Sequence, residues 1–198
     1  MSKATRDAVL FTIGYVAVGL IAVVAVGCLT FRRQFFHFPE PMLSLLLLGL
    51  TGAFIYASVQ MHGAGSAVLV IALWCVAEVV MNPGSFLSAA AAIAYGLLVG
   101  FALMAAAYVQ KSLTRFKFAR FIIMGLAVGA GYTLMTLLFV DVLGFGTRLG
   151  TLWSQTFLGA KLGGAMGLGF ELIDLIGPRP EYELCPAPSS LDNEREDL

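Results

Sequence analysis

Long uncharged stretches of apolar residues alternate with short polar segments over most of this 198-residue chain. Residues 8–31 carry no charged side chain, and neither do residues 41–77. A helix of about 20 apolar residues crosses the hydrocarbon core of a bilayer, which is roughly 30 Å thick. At about 1.5 Å per residue, a single helix over residues 41–77 would be nearly twice that length. We therefore expect this stretch to fold back on itself.

Glycine and proline mark the places where the chain turns. The sequence Gln-Met-His-Gly-Ala-Gly at 60–65 divides the long stretch, Asn-Pro-Gly-Ser at 82–85 ends the next, and the glycines at 144 and 146 precede the last. Such clusters are strong turn signals. The pattern predicts six membrane-spanning helices, at about residues 8–30, 42–60, 66–81, 86–108, 121–140 and 150–176.

The first apolar stretch has a second interpretation as a secretory signal peptide, because Lys3 and Arg6 precede it as a basic segment. The apolar core of a signal peptide has about 7–15 residues, and this stretch is longer. No small-residue cleavage site followed by a polar sequence comes after it. We therefore interpret it as the first span.

Composition supports a membrane protein. Hydrophobic residues make up 59% of the chain, charged residues 12%, the net charge is zero and the mean hydropathy is +0.89. Soluble domains carry about 25% charged residues. About half that fraction of charged residues is too few to cover the water-facing surface of a soluble protein of this size. The lack of a basic excess also argues against a nucleic-acid-binding protein. The predicted fold is an all-α integral membrane protein, a bundle of six transmembrane helices with short loops in a lipid bilayer.

Basic residues are distributed unevenly between the two sides of the predicted spans. Eight of them fall on the side of the two termini and three on the other side. Because positively charged loops stay in the cytoplasm, we expect both termini there, in a bacterial cytoplasmic membrane. Residues 1–177 would form the transmembrane domain, and the acidic, proline-containing residues 178–198 a disordered cytoplasmic tail.

Three predicted spans carry small residues four positions apart, and residues at that spacing share one face of a helix. Transmembrane helices pack closely through such faces. Ordinary packing within the bundle and docking of a second membrane protein are the two interpretations. The residues are Ser88, Ala92, Gly96 and Gly100 in the fourth span, Gly125 and Gly129 in the fifth, and Gly159, Gly163 and Gly167 in the sixth.

Ionisable residues within the spans are the main candidates for function. Lys161 lies near the middle of the sixth span, Glu78 about 5 Å inside one end of the third and Asp141 at the end of the fifth. A charge at the bilayer centre costs about 2.5–3.5 kcal/mol on insertion scales. We therefore expect Lys161 to face the interior and to pair with Glu78, or otherwise with Asp141. This pair is either purely structural or also lines a solute cavity.

Further hydrogen-bonding side chains in the same halves of the last two spans would line that cavity. They are Tyr132, Thr133, Thr136, Trp153, Gln155 and Thr156.

The sequence contains no serine-hydrolase elbow, zinc-protease motif or phosphate-binding loop. Its three cysteines and two histidines do not have metal-ligand spacing. We predict no catalytic residue, no metal and no particular cofactor, and an enzyme is the less favoured class.

The sequence favours a small multi-pass membrane transporter, or the membrane-embedded substrate-binding component of one, for a small solute that it does not identify. The alternative is a non-catalytic subunit or scaffold of a larger membrane complex. In that case the faces of small residues would contact other membrane subunits.

Overall fold

The computed structural model describes residues 3–31, 39–81, 86–112, 119–139 and 149–176. Every regular element in these ranges is an α-helix, so the predicted all-helical class with six helices is confirmed. Asp141, the segments 82–85 and 144–146 and the tail 178–198 lie outside the described residues. The helices are α1 (Lys3–Phe31), α2 (Pro39–Met61), α3 (Ala64–Met81), α4 (Phe86–Ser112), α5 (Ala119–Phe139) and α6 (Leu149–Ile176).

The first five helices each contain a segment that is long and apolar enough to cross a membrane. With 28 residues, α6 has the length to do so, but it is less apolar. Its polar residues include Gln155, Lys161, Glu171 and Asp174. Of the six helices, α6 is therefore the one least suited to contact lipid on all sides.

The connection between α2 and α3 lies within the segment that the sequence identifies as a turn. The backbone N–H groups of His62 and Gly63 both donate to the carbonyl of Ser58, at 2.8 and 3.0 Å. Gly63 has a φ of 87°, a conformation that glycine adopts without the steric penalty other residues pay. The Ser66 hydroxyl donates to the Gly63 carbonyl at 3.0 Å. These bonds provide partners for backbone carbonyl groups at the end of α2 that have no hydrogen-bond partner within the helix.

Helices that follow one another in the chain run antiparallel, as do α1 and α6, whereas α2 and α4 run parallel. Gly14 of α1 lies beside Ile173 near the end of α6, while Gly96 and Gly100 of α4 lie beside Cys75 and Ile71 of α3 in reverse order. Helices α1, α2, α4, α5 and α6 form a closed ring, and α3 packs outside it against α2 and α4. We call the end of the bundle where α1 begins and α6 ends the termini end, and the opposite end the far end.

The centre of the ring is filled by side chains from all five of its helices. Near the termini end, the rings of Tyr56 and Phe170 stack with centroids 4.7 Å apart, and Tyr15 meets both edge-on. Further along lies a set of apolar side chains with at most 1% exposure, which we call the apolar layer. It comprises Val99, Leu103, Met124, Val128, Leu162 and Met166.

Glycines allow α5 and α6 to approach each other at backbone distance. A Cβ atom added to Gly159 would lie 2.8 Å from the Val128 carbonyl oxygen, and one added to Gly167 would lie 2.6 Å from that of Arg120. Gly163 lies between them against Met124. From the α5 side, Gly125 and Gly129 face the backbone carbonyls of α6.

Two other helix pairs use small residues in the same way. In α4, Gly96 and Gly100 contact α3, and Ala92, one turn before Gly96, is buried while Ser88 is half-buried. Gly19 of α1 meets Gly49 of α2, where an added Cβ would lie 2.6 Å from the opposing carbonyl oxygen. The sequence analysis did not identify this contact, although Gly49, Ala53 and Ala57 of α2 are small residues four positions apart.

Candidate functional site

The structure does not bring Lys161 and Glu78 together. Glu78 is 2% exposed on α3, a helix that packs against α2 and α4, whereas Lys161 is exposed on α6, which packs against α5 and α1. Lys161 is on the side of α6 away from the glycines, and those glycines lie against α5. The lysine therefore points away from the ring rather than into it. The other candidate partner, Asp141, lies outside the described residues.

Glu78 belongs instead to a chain of aromatic side chains that crosses three helices. The Trp74 indole N–H donates to the Glu78 carboxylate at 3.0 Å. Trp74 contacts Tyr95 of α4 edge-to-face, with ring centroids 5.6 Å apart. Tyr95 meets Tyr132 of α5 in the same manner at 5.7 Å, and their hydroxyl oxygens are 2.8 Å apart. We call these four residues the far cluster.

Threonines extend the far cluster towards α6. The hydroxyl oxygens of Thr133 and Thr156 are 2.6 Å apart and connect α5 with α6. The hydroxyl of Thr136, which is 2% exposed, donates to the backbone carbonyl of Tyr132 at 2.8 Å. Thr133 and Thr156 also bond to carbonyls one turn earlier in their own helices, as helical threonines commonly do. Their oxygens can still accept hydrogen bonds.

These groups all lie in the half of the bundle nearest the far end. Glu78 and Thr136 are three residues from the far ends of α3 and α5, which is about 4.5 Å at 1.5 Å per residue. Trp74 and Tyr132 are seven residues in, or about 10 Å. Tyr95 is the deepest, nine residues from the start of α4, or about 13 Å. The far cluster thus extends from near the end of the bundle almost to the apolar layer.

The sequence analysis identified only part of this arrangement. Of the predicted lining residues, Tyr132, Thr133, Thr136 and Thr156 lie together, but Trp153 is 57% exposed and packs against Phe157 on the outside of α6. Gln155 is half-buried. Trp74 and Tyr95 were not predicted. Trp74 is four residues before Glu78, the spacing that places two side chains next to each other on a helix. The contact between these two residues could therefore have been predicted from the sequence.

A second polar cluster lies at the termini end, and the sequence analysis did not identify it as a site. The Arg120 guanidinium of α5 donates to the Asp174 carboxylate of α6, and the Tyr15 hydroxyl of α1 donates to the same carboxylate. The arginine and aspartate side chains are only 12% and 7% exposed. Glu171, one turn before Asp174, and Tyr56 are buried as well. We call these five residues the termini cluster.

Neither Arg120 nor Asp174 interacts favourably with the dipole of its own helix. Arg120 is the second residue of α5, at the positive end of its helix dipole, and Asp174 is the third from the end of α6, at the negative end. Each charge therefore lies where its own helix dipole disfavours it. Their mutual attraction across the α5–α6 contact offsets both penalties, so the pair ties these helices together at the termini end.

The two polar clusters are separated by the apolar layer, whose side chains are fully enclosed. Buried ionisable groups in a membrane helix bundle are costly and usually mark a solute or ion pathway.

Among the described residues there is no group of three or more histidine, cysteine or acidic side chains that could hold a metal ion. Cys28 and Cys75 are free thiols, and the Cys75 thiol lies 3.6 Å from the carbonyl oxygen of Ile93. Comparisons of the chain with protein-family models, with curated proteins and with solved structures gave no match. Function is therefore inferred from the geometry alone.

Proposed function

We propose that this chain is an integral membrane protein in which all six helices span the bilayer and both termini are cytoplasmic. Five helices have the required length and apolar character, and α6 is flanked by α5 and α1. Several polar groups of α6, including Thr156, Glu171 and Asp174, face neighbouring helices or the interior rather than lipid. This placement supports a sixth span despite its lower hydropathy.

We further propose that the protein is a small membrane transporter, or the membrane-embedded substrate-binding component of one, with its solute site at the far cluster. The observation that carries this is the buried carboxylate of Glu78 among the rings of Trp74, Tyr95 and Tyr132. Packing alone would be served by apolar side chains of similar size, without the desolvation penalty of a carboxylate. A carboxylate that is this well buried supports a role in binding.

The alternative function, a non-catalytic subunit of a membrane complex, is favoured by a different observation. The outward face of α6 exposes Trp153, Ser154 and Lys161 within about two and a half turns. A lysine there is costly against lipid tails unless it reaches the headgroups or meets a partner protein. The two functions are compatible, because a substrate-binding component also contacts other subunits.

Access of water to the far cluster distinguishes a solute site from a dry core. Thr133→Cys is made in a variant whose three native cysteines are replaced by alanine, and the protein is kept in sealed membrane vesicles. We expect its thiol to react with membrane-impermeant methanethiosulfonate reagents, anionic or cationic, added on the far-end side. Val128→Cys in the apolar layer is the matched control and should not react. If Thr133→Cys is unreactive from both sides in folded protein, the far cluster is a dry core and the proposed function is wrong.

A further inference from the structure

Resting on the proposed six-span placement, we infer that the outward side of α6 binds a transmembrane helix of a different membrane protein, and that this helix carries a carboxylate at the depth of Lys161. Side chains four and seven positions apart share that side of α6 and are exposed on it. We call them the outer face, which comprises Phe157, Lys161, Leu168 and Leu172. The outer face thus presents a single charge within an apolar strip about 22 Å long.

Lys161 has no counter-charge of its own within the part of the chain that the structure describes. It forms neither a hydrogen bond nor an ion pair there. The acidic residues of the described helices are either close to helix ends or buried. They are Asp7 and Glu40 close to helix ends, and Glu78, Glu171 and Asp174 buried. A second copy of the chain in the same orientation would bring two lysines together at this face, so charge complementarity requires a different protein.

The depth of Lys161 makes a partner necessary in a bilayer. It is 12 residues from the start of α6 and 15 from its end, or about 18 and 22 Å. Five residues further on, Met166 lies beside Leu103 and Gly52, near the middle of α4 and α2. Lys161 is therefore only about 7 Å from the middle of the bundle, and half the hydrocarbon core is about 15 Å thick. A cation at that depth is costly unless it is paired.

A lipid phosphate is the rival partner, and the geometry places it out of reach. Trp153 is 57% exposed and lies eight residues, or about 12 Å, before Lys161. Exposed tryptophan is typical of the membrane interface. A helical side chain points towards the start of its helix, here towards Trp153, and an extended lysine spans about 6 Å. Its ammonium group therefore ends about 6 Å short of the Trp153 level, and phosphates lie beyond it, whereas a carboxylate on an adjacent helix can meet it.

A defined peptide tests the inference. The probe is a transmembrane peptide of about 22 leucine and alanine residues, with one central glutamate and a cysteine one turn to each side of it. The protein carries Phe157→Cys, one turn from Lys161, and its three native cysteines are replaced by alanine. Both are reconstituted in phosphatidylcholine vesicles and oxidised to form disulfides. We expect roughly fivefold or more cross-linked product compared with the same peptide carrying glutamine.

Controls locate the contact and assign it to the lysine. Leu73→Cys is on the outward side of α3, where the leucine is 62% exposed, and should cross-link equally with both peptides. Adding Lys161→Met to Phe157→Cys should remove the preference for glutamate. Adding Lys161→Glu instead should create a preference for a peptide with a central lysine. Thermal unfolding checks that each variant is intact, which we expect because Lys161 is exposed.

The outcomes separate this inference from the proposed function. Equal yields with the two peptides, or a preference that survives Lys161→Met, overturn the inference. Loss of the preference when phosphatidylglycerol replaces part of the lipid also overturns it, because a lipid phosphate then reaches Lys161. Reaction of Phe157→Cys with a membrane-impermeant maleimide in folded protein would show that α6 lies outside the hydrocarbon, and the six-span placement would then fail as well. If that thiol is protected and the yields are equal, only this inference fails.

Discussion

Replacing Gly163 with alanine tests the closest backbone contact in the bundle. Gly163 lies near the middle of α6, where an added Cβ would be 2.8 Å from both the carbonyl carbon of Met124 and the Cβ of Val128. It would lie closer still to the carbonyl oxygen of Met124. Most of these atoms are backbone, and no side-chain rotation relieves the overlap. Even a single methyl group therefore requires α5 and α6 to move apart.

The size of the effect follows from two opposing contributions. Inserting a methyl group into a packed interior costs about 1–3 kcal/mol. Alanine is favoured over glycine within a helix by about 1 kcal/mol, which offsets part of that cost. The added Cβ would lie closer to the atoms of α5 than Cβ atoms in proteins normally come to their neighbours. We therefore expect Gly163→Ala to lower the free energy of unfolding by about 1–2 kcal/mol. Gly163→Leu requires a larger separation and should cost more than alanine.

The measurement is equilibrium unfolding in mixed detergent micelles, followed by helical circular dichroism. Gly65→Ala is the matched control, because an added Cβ at this helical glycine of α3 would meet nothing within 4 Å. It should be neutral or gain up to about 1 kcal/mol from helix propensity. If Gly163→Ala is as stable as the parent protein while Gly65→Ala behaves as expected, α5 and α6 are not as close as described.

Three further predictions use the same or simpler measurements. Arg120→Met should cost about 3 kcal/mol, because it leaves the Asp174 carboxylate buried without its counter-ion, and adding Asp174→Asn should recover most of that loss; no recovery would mean that the pair does not account for the cost. Reporter fusions within residues 82–85 and after residue 177 should lie on opposite sides of the membrane, and a same-side result would remove one span. Lys161→Met should change stability in detergent by less than about 0.5 kcal/mol, because this side chain is exposed, and a larger loss would show that Lys161 has a partner inside the protein.

The sequence was sufficient for the helices because their signal is local. Charged residues and turn-forming glycines or prolines bound each apolar stretch, and a stretch too long for one helix has to fold back. Helix ends differ from the predicted spans by a few residues, as at Lys3 and Pro39, because a helix continues past the apolar segment while its backbone bonds remain favourable. Proline fits the first turn of α2, where its missing N–H costs nothing.

The candidate site was only partly predictable, because it depends on which helices become neighbours. Trp74 and Glu78 are close along one helix, and that spacing could have been read directly. Tyr95 and Tyr132 meet only because α4 packs between α3 and α5. Arg120 looks like one of several basic residues in a connecting segment until the start of α5 is known. Its contact with Asp174 depends on the antiparallel α5–α6 packing.

The position of Lys161 shows how two valid physical arguments can compete on one helix. The cost of a charge in lipid favours turning the lysine inward, and the gain from close backbone packing favours turning the glycines inward. The two features are about 200° apart on α6, so both cannot face the interior. A lysine on the outside can extend its flexible stem towards water or headgroups, but a glycine contact has no substitute at another position. Packing therefore determines the rotation of α6, and the far cluster takes its only described carboxylate from Glu78 of α3.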